Sequence, residues 1–501
     1  MCTMLILQQC CLRICIDCRE VTRVRVRVVK RGPKSLWSDT IPTAAQCSST
    51  SDQQRPDDIR ADCNSSSPLS NGLASGRTRI PRPFVVSMVW ECAGSSSSTI
   101  AALHRELPAE LRSLTFGRSF NLSIDEVNWP ASLKELVFGE AFSQPIGNVL
   151  WPPDLARLEF GTFFNQPLTG VVWPRGLKEV SFGAKFDKPL HDGVKWPPSL
   201  ESVTLGEKFS CSLASVRCFP RGLRALTLRG NFPGIFQEIS LPEGLEELSL
   251  FHFNQPLDGA LLPSGLRQLT VGGLFNRPVD RVVWPTGLER LTFGDCFNQP
   301  MLCAAETLQS LPAGLERLTF GRDFNQPIVD GATMAVWLPA GLRELSFGDK
   351  FNQEVVGVSW PTELRRLSFG EDFNREVEAA LWPECLEYLS FPGRFSQPVA
   401  GAAWPPALRH LSFGNRFDQP LGQAKFPAGL EILKLGAVFK QPIDGMQLPA
   451  GLKCLVVGQE LAVQALQDAM LPDGLKIVRR RRSGYAEIMI VRDGAVVMSA
   501  G

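Results

Sequence analysis

Apolar residues recur along most of this chain with one fixed spacing. The template is (W/L)P-x-G-L-x-x-L-x-F-G-x-x-F-N-Q-P, and its fullest copy occupies residues 284–300. Within that copy, apolar and polar positions alternate over LERLTF, a period of two that predicts a short strand with Leu291 and Phe293 facing inward. Gly294 follows the strand and ends it. Phe297 then returns an aromatic ring to the predicted core.

The residue before the proline marks the start of each repeat. There are 17 such starts, spaced about 22 residues apart: Leu107, Trp129, Trp151, Trp173, Trp196, Phe219, Leu241, Leu262, Trp284, Leu311, Leu338, Trp360, Trp382, Trp404, Phe426, Leu448 and Leu471. A repeat this short cannot bury its own apolar face, so each must stack on its neighbours. We therefore predict a β-rich solenoid: a parallel β-sheet wound as a right-handed superhelix of about 17 short repeats.

Two outward positions of each predicted strand form columns along the sheet. The second position is Ser or Thr in eleven consecutive repeats, whereas the first varies and concentrates Arg, Tyr and His between Arg290 and His410. Arg and Tyr supply much of the binding energy at protein interfaces. We predict a partner-binding site formed by Arg290, Thr292, Arg317, Thr319, Glu344, Ser346, Arg366, Ser368, Tyr388 and His410. A solvated hydroxyl ladder and an unconstrained variable surface are the alternatives.

Three other columns have structural interpretations. The residue after the first Leu is charged in 16 of 17 repeats and often alternates in sign, which indicates control of register and solubility. The Asn after the second Phe is predicted to bond turn backbone. The Trp-Pro step predicts a corner that is held by Pro and covered by Trp, with an exposed sugar-binding Trp row as the alternative.

Composition and motifs favour a protein without catalytic chemistry. The chain has 501 residues and a formal charge of +1, so neither nucleic acid nor a membrane surface is expected as a partner. It has no apolar run of 18 residues, so no membrane-spanning helix is expected. The four His fall in different repeats, and no catalytic motif or phosphate-binding loop occurs. Cys15 and Cys18 form a lone CxxC pair, which is insufficient for zinc. We predict no catalytic, cofactor or metal site.

The two ends of the chain depart from the template. Residues 1–42 form a segment of uncertain structure with a possible isolated strand at 21–29, and residues 43–79 read as a disordered Ser/Asn/Pro-rich linker. Residues 80–106 are predicted as an N-terminal cap with a strand and a short helix. The repeats occupy 107–478, and 479–501 are predicted as a C-terminal cap with a β-hairpin. The run Arg479–Arg482 is interpreted as a charged guard on the solenoid edge or as a nuclear localisation patch.

The recurring motif carries a family resemblance. Phe-Asn-Gln-Pro followed by an apolar residue, then Leu/Trp-Pro-x-Gly-Leu-x-x-Leu-x-Phe-Gly, resembles the FNIP repeats, a leucine-rich-repeat-like class, over residues 107 to about 478. This chain places Gln where Ile stands in the family's name motif. The resemblance implies a leucine-rich-repeat-like solenoid with a concave strand face. Family members often pair such arrays with an F-box or a kinase domain, and neither is found in residues 1–100.

These observations together predict a non-catalytic protein–protein interaction scaffold that uses its exposed strand face. Its partners are expected to be other proteins, and it is expected to be monomeric and cytoplasmic, with entry to the nucleus through Arg479–Arg482 as a further possibility. One alternative is a substrate receptor of a ubiquitin ligase, which only the family resemblance implies. Another is an extracellular protein that binds glycans or surfaces, which would need an export signal.

Overall fold

A computed structural model describes residues 22–27, 87–92 and 107–498, apart from short stretches. Those stretches are 191–192, 212–218, 232–235, 237–238, 302–310, 330–335, 444–445, 462–465, 467–470, 481–485 and 493–494. The predicted disordered linker, the short helix before residue 107 and the Cys15–Cys18 pair lie outside the described residues.

The described chain forms one sheet of 21 strands. In chain order the strands are β1 (Thr22–Arg27), β2 (Ser87–Cys92), β3 (Ser113–Phe116), β4 (Glu135–Val137), β5 (Arg157–Glu159), β6 (Glu179–Ser181), β7 (Ser202–Leu205), β8 (Ala225–Leu228), β9 (Glu247–Leu250), β10 (Gln268–Val271), β11 (Arg290–Phe293), β12 (Arg317–Thr319), β13 (Glu344–Ser346), β14 (Arg366–Ser368), β15 (Tyr388–Phe391), β16 (His410–Phe413), β17 (Ile432–Lys434), β18 (Cys454–Gly458), β19 (Lys476–Arg480), β20 (Ala486–Arg492) and β21 (Ala495–Met498).

Each of the 17 repeats contributes one strand, β3 to β19, to a parallel sheet. The strands pair in register, so that Leu291 lies opposite Leu318 and Leu318 opposite Leu345. Equivalent residues therefore stack on one another along the sheet, and one apolar core runs inside the coils. The predicted parallel solenoid of 22-residue repeats is confirmed.

Antiparallel strands flank the parallel array at both ends. At the amino-terminal end β1 pairs with β2, which continues in parallel onto β3, so β1 is not the isolated strand that its sequence suggested. At the other end β20 pairs with β19 and β21 with β20. These pairings add strands beyond the first and last repeat, where a parallel sheet would otherwise expose unpaired backbone groups.

Arg479 is the first residue of the run interpreted as a charged guard or a nuclear localisation patch, and it is largely buried. Its side chain is only 17% exposed and forms an ion pair of 3.3 Å with Glu487 of β20. The same guanidinium donates to the backbone carbonyls of Gln459 (2.7 Å) and Leu461 (3.2 Å). Arg479 therefore joins the last repeat to β20, whereas Arg480 is exposed.

Two columns of Phe fill the core. Rings within one coil lie close together, as Phe293 and Phe297 do at 4.0 Å between centroids, and rings of successive coils follow at about 6 Å, as Phe297 and Phe324 do at 6.0 Å. The interplanar angle of that second pair is 2°. The rings of successive coils form a spine of stacked Phe side chains from Phe120 to Phe209 and again from Phe253 to Phe439.

The Asn column bonds from one coil to the next rather than within its own turn. Asn325 Oδ1 accepts the backbone N–H of Asn352 at 2.9 Å, and Asn298 accepts that of Asn325 in the same way. The following Gln supports this contact, because Gln353 Nε2 donates to the carbonyl of Asn325 at 3.0 Å. Gln therefore adds a second hydrogen bond between coils, which an Ile at that position could not form.

The glycine after each strand is required by close approach of backbone, not by an unusual φ angle. A Cβ atom on Gly139, Gly161 or Gly183 would overlap the carbonyl oxygen of the glycine one coil earlier. None of these three has a positive φ. The column is interrupted by Arg229, Phe251 and Pro392, which follow β8, β9 and β15, and by Arg480 opposite Gly458.

We predict that Phe324→Ala destabilises the array by about 3–5 kcal/mol, because it removes a fully buried ring from the spine. The matched control is Phe163→Ala, since that ring is 53% exposed. It should change stability by about 0.5 kcal/mol or less. Thermal and denaturant unfolding followed by circular dichroism measure both. Equal destabilisation by the two variants would contradict the packed spine.

We also predict that Asn325→Ala costs about 1–3 kcal/mol, because the half-buried N–H of Asn352 loses its acceptor. Asn325→Asp keeps an acceptor there, as Asp418 already does for the N–H of Lys440 at 3.0 Å. The Asp variant should therefore retain most of the wild-type stability in the same unfolding measurements. If the Asp variant were as unstable as the Ala variant, the hydrogen bond between coils would not be the cause.

Candidate binding surface on the strand face

The outward side chains of β3–β19 form one continuous surface, which we call the strand face. Along β11 the burial alternates: Arg290 is exposed, Leu291 buried, Thr292 half-buried and Phe293 buried. Most of the other strands show the same alternation. Because the strands are in register, the first and second outward positions form two straight columns across the face.

The ten residues predicted for a partner site lie side by side on this face. Each of the strands β11 to β16 contributes one or two of them, and each residue has an equivalent one opposite on the next strand. The variable column reads Arg290, Arg317, Glu344, Arg366, Tyr388 and His410, and the hydroxyl column reads Thr292, Thr319, Ser346 and Ser368. Whether these residues bind a partner stays a prediction.

Charges on the first half of this patch are already partnered. Arg317 and Glu344 form an ion pair at 2.8 Å, and Arg290 donates to Gln268 Oε1 at 3.4 Å. Glu344 also lies opposite Arg366 in register, but its 2.8 Å ion pair is the one with Arg317. Arg366 has no ion pair with any residue that the structure describes.

Arg366 instead begins a stack of flat side chains. Its guanidinium carbon lies 4.3 Å from the centroid of the Tyr388 ring, a cation–π contact. The Tyr388 ring is stacked on the ring of His410 at 4.5 Å between centroids and 23° between planes. Three consecutive strands thus present one layer of guanidinium, phenol and imidazole, each group resting on the next.

His410 is held in its neutral form by this setting. Burial lowers its pKa, and the positive charges of Lys434 and Arg366 lower it further. The neighbouring Ser412 is buried, with 4% of its surface exposed. The imidazole is therefore an uncharged aromatic surface at neutral pH rather than a cation.

The pattern of the sequence did not single out Lys434, which belongs to the same surface. It stands on β17 in the hydroxyl column, directly opposite Ser412. Burial lowers its pKa, as does the charge of Arg480, while Glu371 acts in the opposite direction. The sequence feature that could have identified Lys434 is the break in the Ser/Thr column, where a long cationic side chain follows eleven small hydroxyl residues.

The amino-terminal part of the strand face is electrostatically balanced. Arg157 on β5 lies 3.7 Å from Glu135, 3.2 Å from Glu159 and 3.9 Å from Glu179. A groove of about 620 Å³ runs there along the carboxyl ends of the strands, between Val89 and Arg229. Glycine backbone alternates along its lining with charged side chains of both signs, among them Arg118, Glu140 and Glu159.

The charged column forms ion pairs between coils. The pairs are Lys178–Glu201 (2.9 Å), Arg224–Glu246 (3.1 Å), Arg267–Glu289 (2.7 Å), Glu316–Arg343 (3.3 Å), Arg365–Glu387 (2.6 Å), Arg409–Glu431 (3.1 Å) and Glu431–Lys453 (2.9 Å). Exposed pairs of this kind contribute about 0–1 kcal/mol each. Their cations are already matched by carboxylates, so this column offers less to an anionic ligand than the strand face does.

The Trp residues of the Trp-Pro step do not form a platform for a ligand. Most of their rings are buried, with 6% of Trp173, Trp284 and Trp360 exposed and 8% of Trp382 and Trp404, while Trp129 and Trp196 are half-buried. Some stack on each other, as Trp360 and Trp382 do at 5.9 Å. Stacking on a sugar would need an open ring face, so the Trp row belongs to the core.

The described residues contain no group of three or more His, Cys, Asp or Glu that could hold a metal ion. Nor does any helix in the described ranges have the length and apolar character needed to cross a membrane.

Comparison with known proteins supports a repeat solenoid of the leucine-rich-repeat type. Residues 164–208, 253–296 and 417–459 match the family model of the FNIP repeat. Among solved structures, CroV588, described as a novel circular LRR protein, is 32% identical in sequence with a TM-score of 0.59. That match covers 76% of this chain, and this chain spans 57% of the length of CroV588.

Two further structures are similar at lower identity. Toll, from the Drosophila Toll–Spatzle complex, is 14% identical with a TM-score of 0.47, covering 78% of this chain and 62% of that one. An internalin of Listeria monocytogenes is 15% identical with a TM-score of 0.37, covering 56% of this chain and 80% of that one. The comparison with curated proteins gives no match.

We predict that His410 titrates below the ordinary histidine range, because its site is buried and faces two cations. Lys434→Gln should raise the pKa of His410, though not to the ordinary value, since burial remains. NMR titration of the imidazole measures this. Because the folded state binds the proton less readily than the unfolded state, stability should fall as the pH drops through the ordinary histidine range. His410→Gln should reduce that fall. A pKa of His410 that Lys434→Gln leaves unchanged would contradict the assignment.

Proposed function

We propose that this FNIP-repeat protein, a solenoid of the leucine-rich-repeat type, is a non-catalytic scaffold that binds other proteins through its strand face. The observation that carries the proposal is the contrast between two kinds of column. Phe, Asn, Gly and Trp repeat because the stacking of coils requires them, whereas the first outward position of the strands varies freely in charge, size and aromaticity. Variation on a rigid frame supplies different chemistry at each coil without altering the fold.

The variable column is also where recognition would gain most energy. Arg and Tyr are frequent among the residues that dominate interface energetics. On β12 to β16 they stand on strands, whose positions are held by the hydrogen bonds of both neighbours. A backbone fixed in this way loses little further freedom when a partner binds, which favours affinity.

Other surfaces are less suited to binding. Most Trp side chains of the Trp-Pro step are buried, and the charged column forms ion pairs between coils. These groups are already engaged by the protein itself. The strand face in contrast carries Arg366, which has no ion pair with the described residues.

We also propose a cellular location, an oligomeric state and a class of partner. We place the protein in the cytoplasm as a monomer, with no nucleic acid or membrane among its partners. The free thiols of Cys211, Cys296, Cys385 and Cys454 support a reducing compartment, where disulfides are rare. The net charge of +1 gives no bulk attraction to polyanions.

The test is affinity capture from cell extract with the full chain and a strand-face variant. Combined Arg317→Ala, Arg366→Ala and Tyr388→Ala substitutions should remove most of the captured proteins, since each truncated hot-spot residue costs about 1–2 kcal/mol or more. The captured proteins are identified by mass spectrometry and their amounts compared between the two baits.

The matched control is the triple variant Arg224→Ala, Arg267→Ala and Arg409→Ala, which removes three cations from the charged column. It should keep the captured proteins. Circular dichroism and the melting temperature establish that both variants remain folded. An unchanged set of partners for the strand-face variant would refute the proposed surface.

A further inference from the structure

We propose that the strand face from β14 to β19 binds an acidic segment of a partner protein, in extended conformation and crossing the strands. The segment is held by Arg366 and Lys434 at its two ends and rests on Tyr388 and His410 between them. This inference rests on the proposed function and specifies the chemistry of its partner.

The first support is an excess of positive charge without internal compensation. Arg366, Lys434 and Arg480 have no ion pair with any residue in the described ranges, whereas Arg157 and Arg317 on the same face are paired. Glu371 is the acidic group that acts on Lys434, and the charge of Arg480 acts against it. An anion brought to this place would relieve repulsion among like charges instead of displacing an existing ion pair.

The second support is burial of the cation itself. Lys434 is half-buried, and its pKa is lowered by that burial and by Arg480. A carboxylate at hydrogen-bond distance would stabilise the charged ammonium and reverse that effect. Binding of an acidic segment therefore gains energy at Lys434 that a fully exposed lysine would not supply.

The third support is the uncharged surface between the two cations. The Arg366 guanidinium, the Tyr388 ring and the uncharged His410 ring are stacked on one another across three strands, so the outer edges of the two rings form this surface. Beside them in the hydroxyl column, Ser390 and Ser412 are small. An apolar or aromatic residue of the partner fits against the ring edges.

The spacing selects an extended chain. Arg366 on β14 and Lys434 on β17 are three strands apart, which is about 14 Å at about 4.8 Å per strand. Four residues of extended peptide span about 13–14 Å, and positions i, i+2 and i+4 point to the same side. The expected pattern is therefore an acidic residue at i, an apolar residue at i+2 and an acidic residue at i+4. The long Arg and Lys side chains take up the two-residue offset along the strands.

A protein segment fits this surface better than a nucleic acid does. Nucleic acid affinity depends on many regularly spaced phosphate contacts and, for single strands, on a series of aromatic platforms. Here one Tyr–His stack lies between two cations, and Glu344 and Glu371 border it.

The experiment uses the full chain and two fluorescent 12-residue peptides in a polarisation assay at low and physiological salt. One peptide carries Glu at i and i+4 with Phe at i+2, and the other has the same composition with Glu at i and i+3. We expect the first peptide to bind at least tenfold more tightly and to weaken as salt rises. Arg366→Gln combined with Lys434→Gln should reduce its affinity at least tenfold.

The matched control is Arg365→Gln combined with Lys453→Gln, which removes two cations from the charged column next to the same strands. It should bind the peptide as the wild type does. Binding of both peptides with equal affinity, or binding unaffected by the Arg366 and Lys434 substitutions, would refute the proposal. So would tighter binding of a single-stranded oligonucleotide that depends on the same two residues.

The two proposals can fail separately. If neither peptide binds while the strand-face variant still loses its captured proteins, the acidic partner is wrong and the scaffold function stands. If the first peptide binds as expected but capture from extract is unaffected by the strand-face variant, the surface recognises acidic segments and the proposed scaffold surface is wrong.

Discussion

The structure depends on the close, in-register contact of each coil with the next. A repeat of about 22 residues has too few apolar side chains to repay the entropy of ordering its own backbone. Stacking supplies what is missing: Phe297 rests on Phe324, the N–H of Asn325 is satisfied by Asn298, and the backbones pass so closely after each strand that only glycine fits at positions such as Gly161. All three contacts join different coils, so stability is a property of the array rather than of any one repeat.

That constraint divides the surface into parts with different freedom. Positions that touch the neighbouring coil must repeat, and their side chains are already engaged by the protein. The outward positions of the strands contact one another rather than the core, so they can differ from coil to coil without loss of register. A binding surface can therefore change from one coil to the next while the stacked coils keep the same backbone. The stack of Arg366, Tyr388 and His410 is one example of such outward residues.

Much of this arrangement could be predicted from the repeat. Alternation over LERLTF indicated which residues face inward, and the repeat interval indicated that equivalent residues stack. The direction of the Asn hydrogen bonds was not predictable, since an Asn side chain can serve its own turn or the next coil equally well. The burial of Arg479 was not predictable either. Its burial depends on β20 folding back beside β19, a contact that follows from no local pattern.

The period, the parallel strand of each coil and the side of the strand that faces out follow from spacing and hydrophobicity, so they can be read from the amino-acid sequence. How the outward charges pair depends on the folded arrangement of the coils. Glu344 lies between Arg317 and Arg366 and pairs with Arg317, so Arg366 turns to Tyr388. His410 loses its charge through burial and through Lys434, a residue that its column did not lead one to expect. Which side-chain contacts form depends on competition between neighbouring residues of separate coils, at distances of a few ångströms.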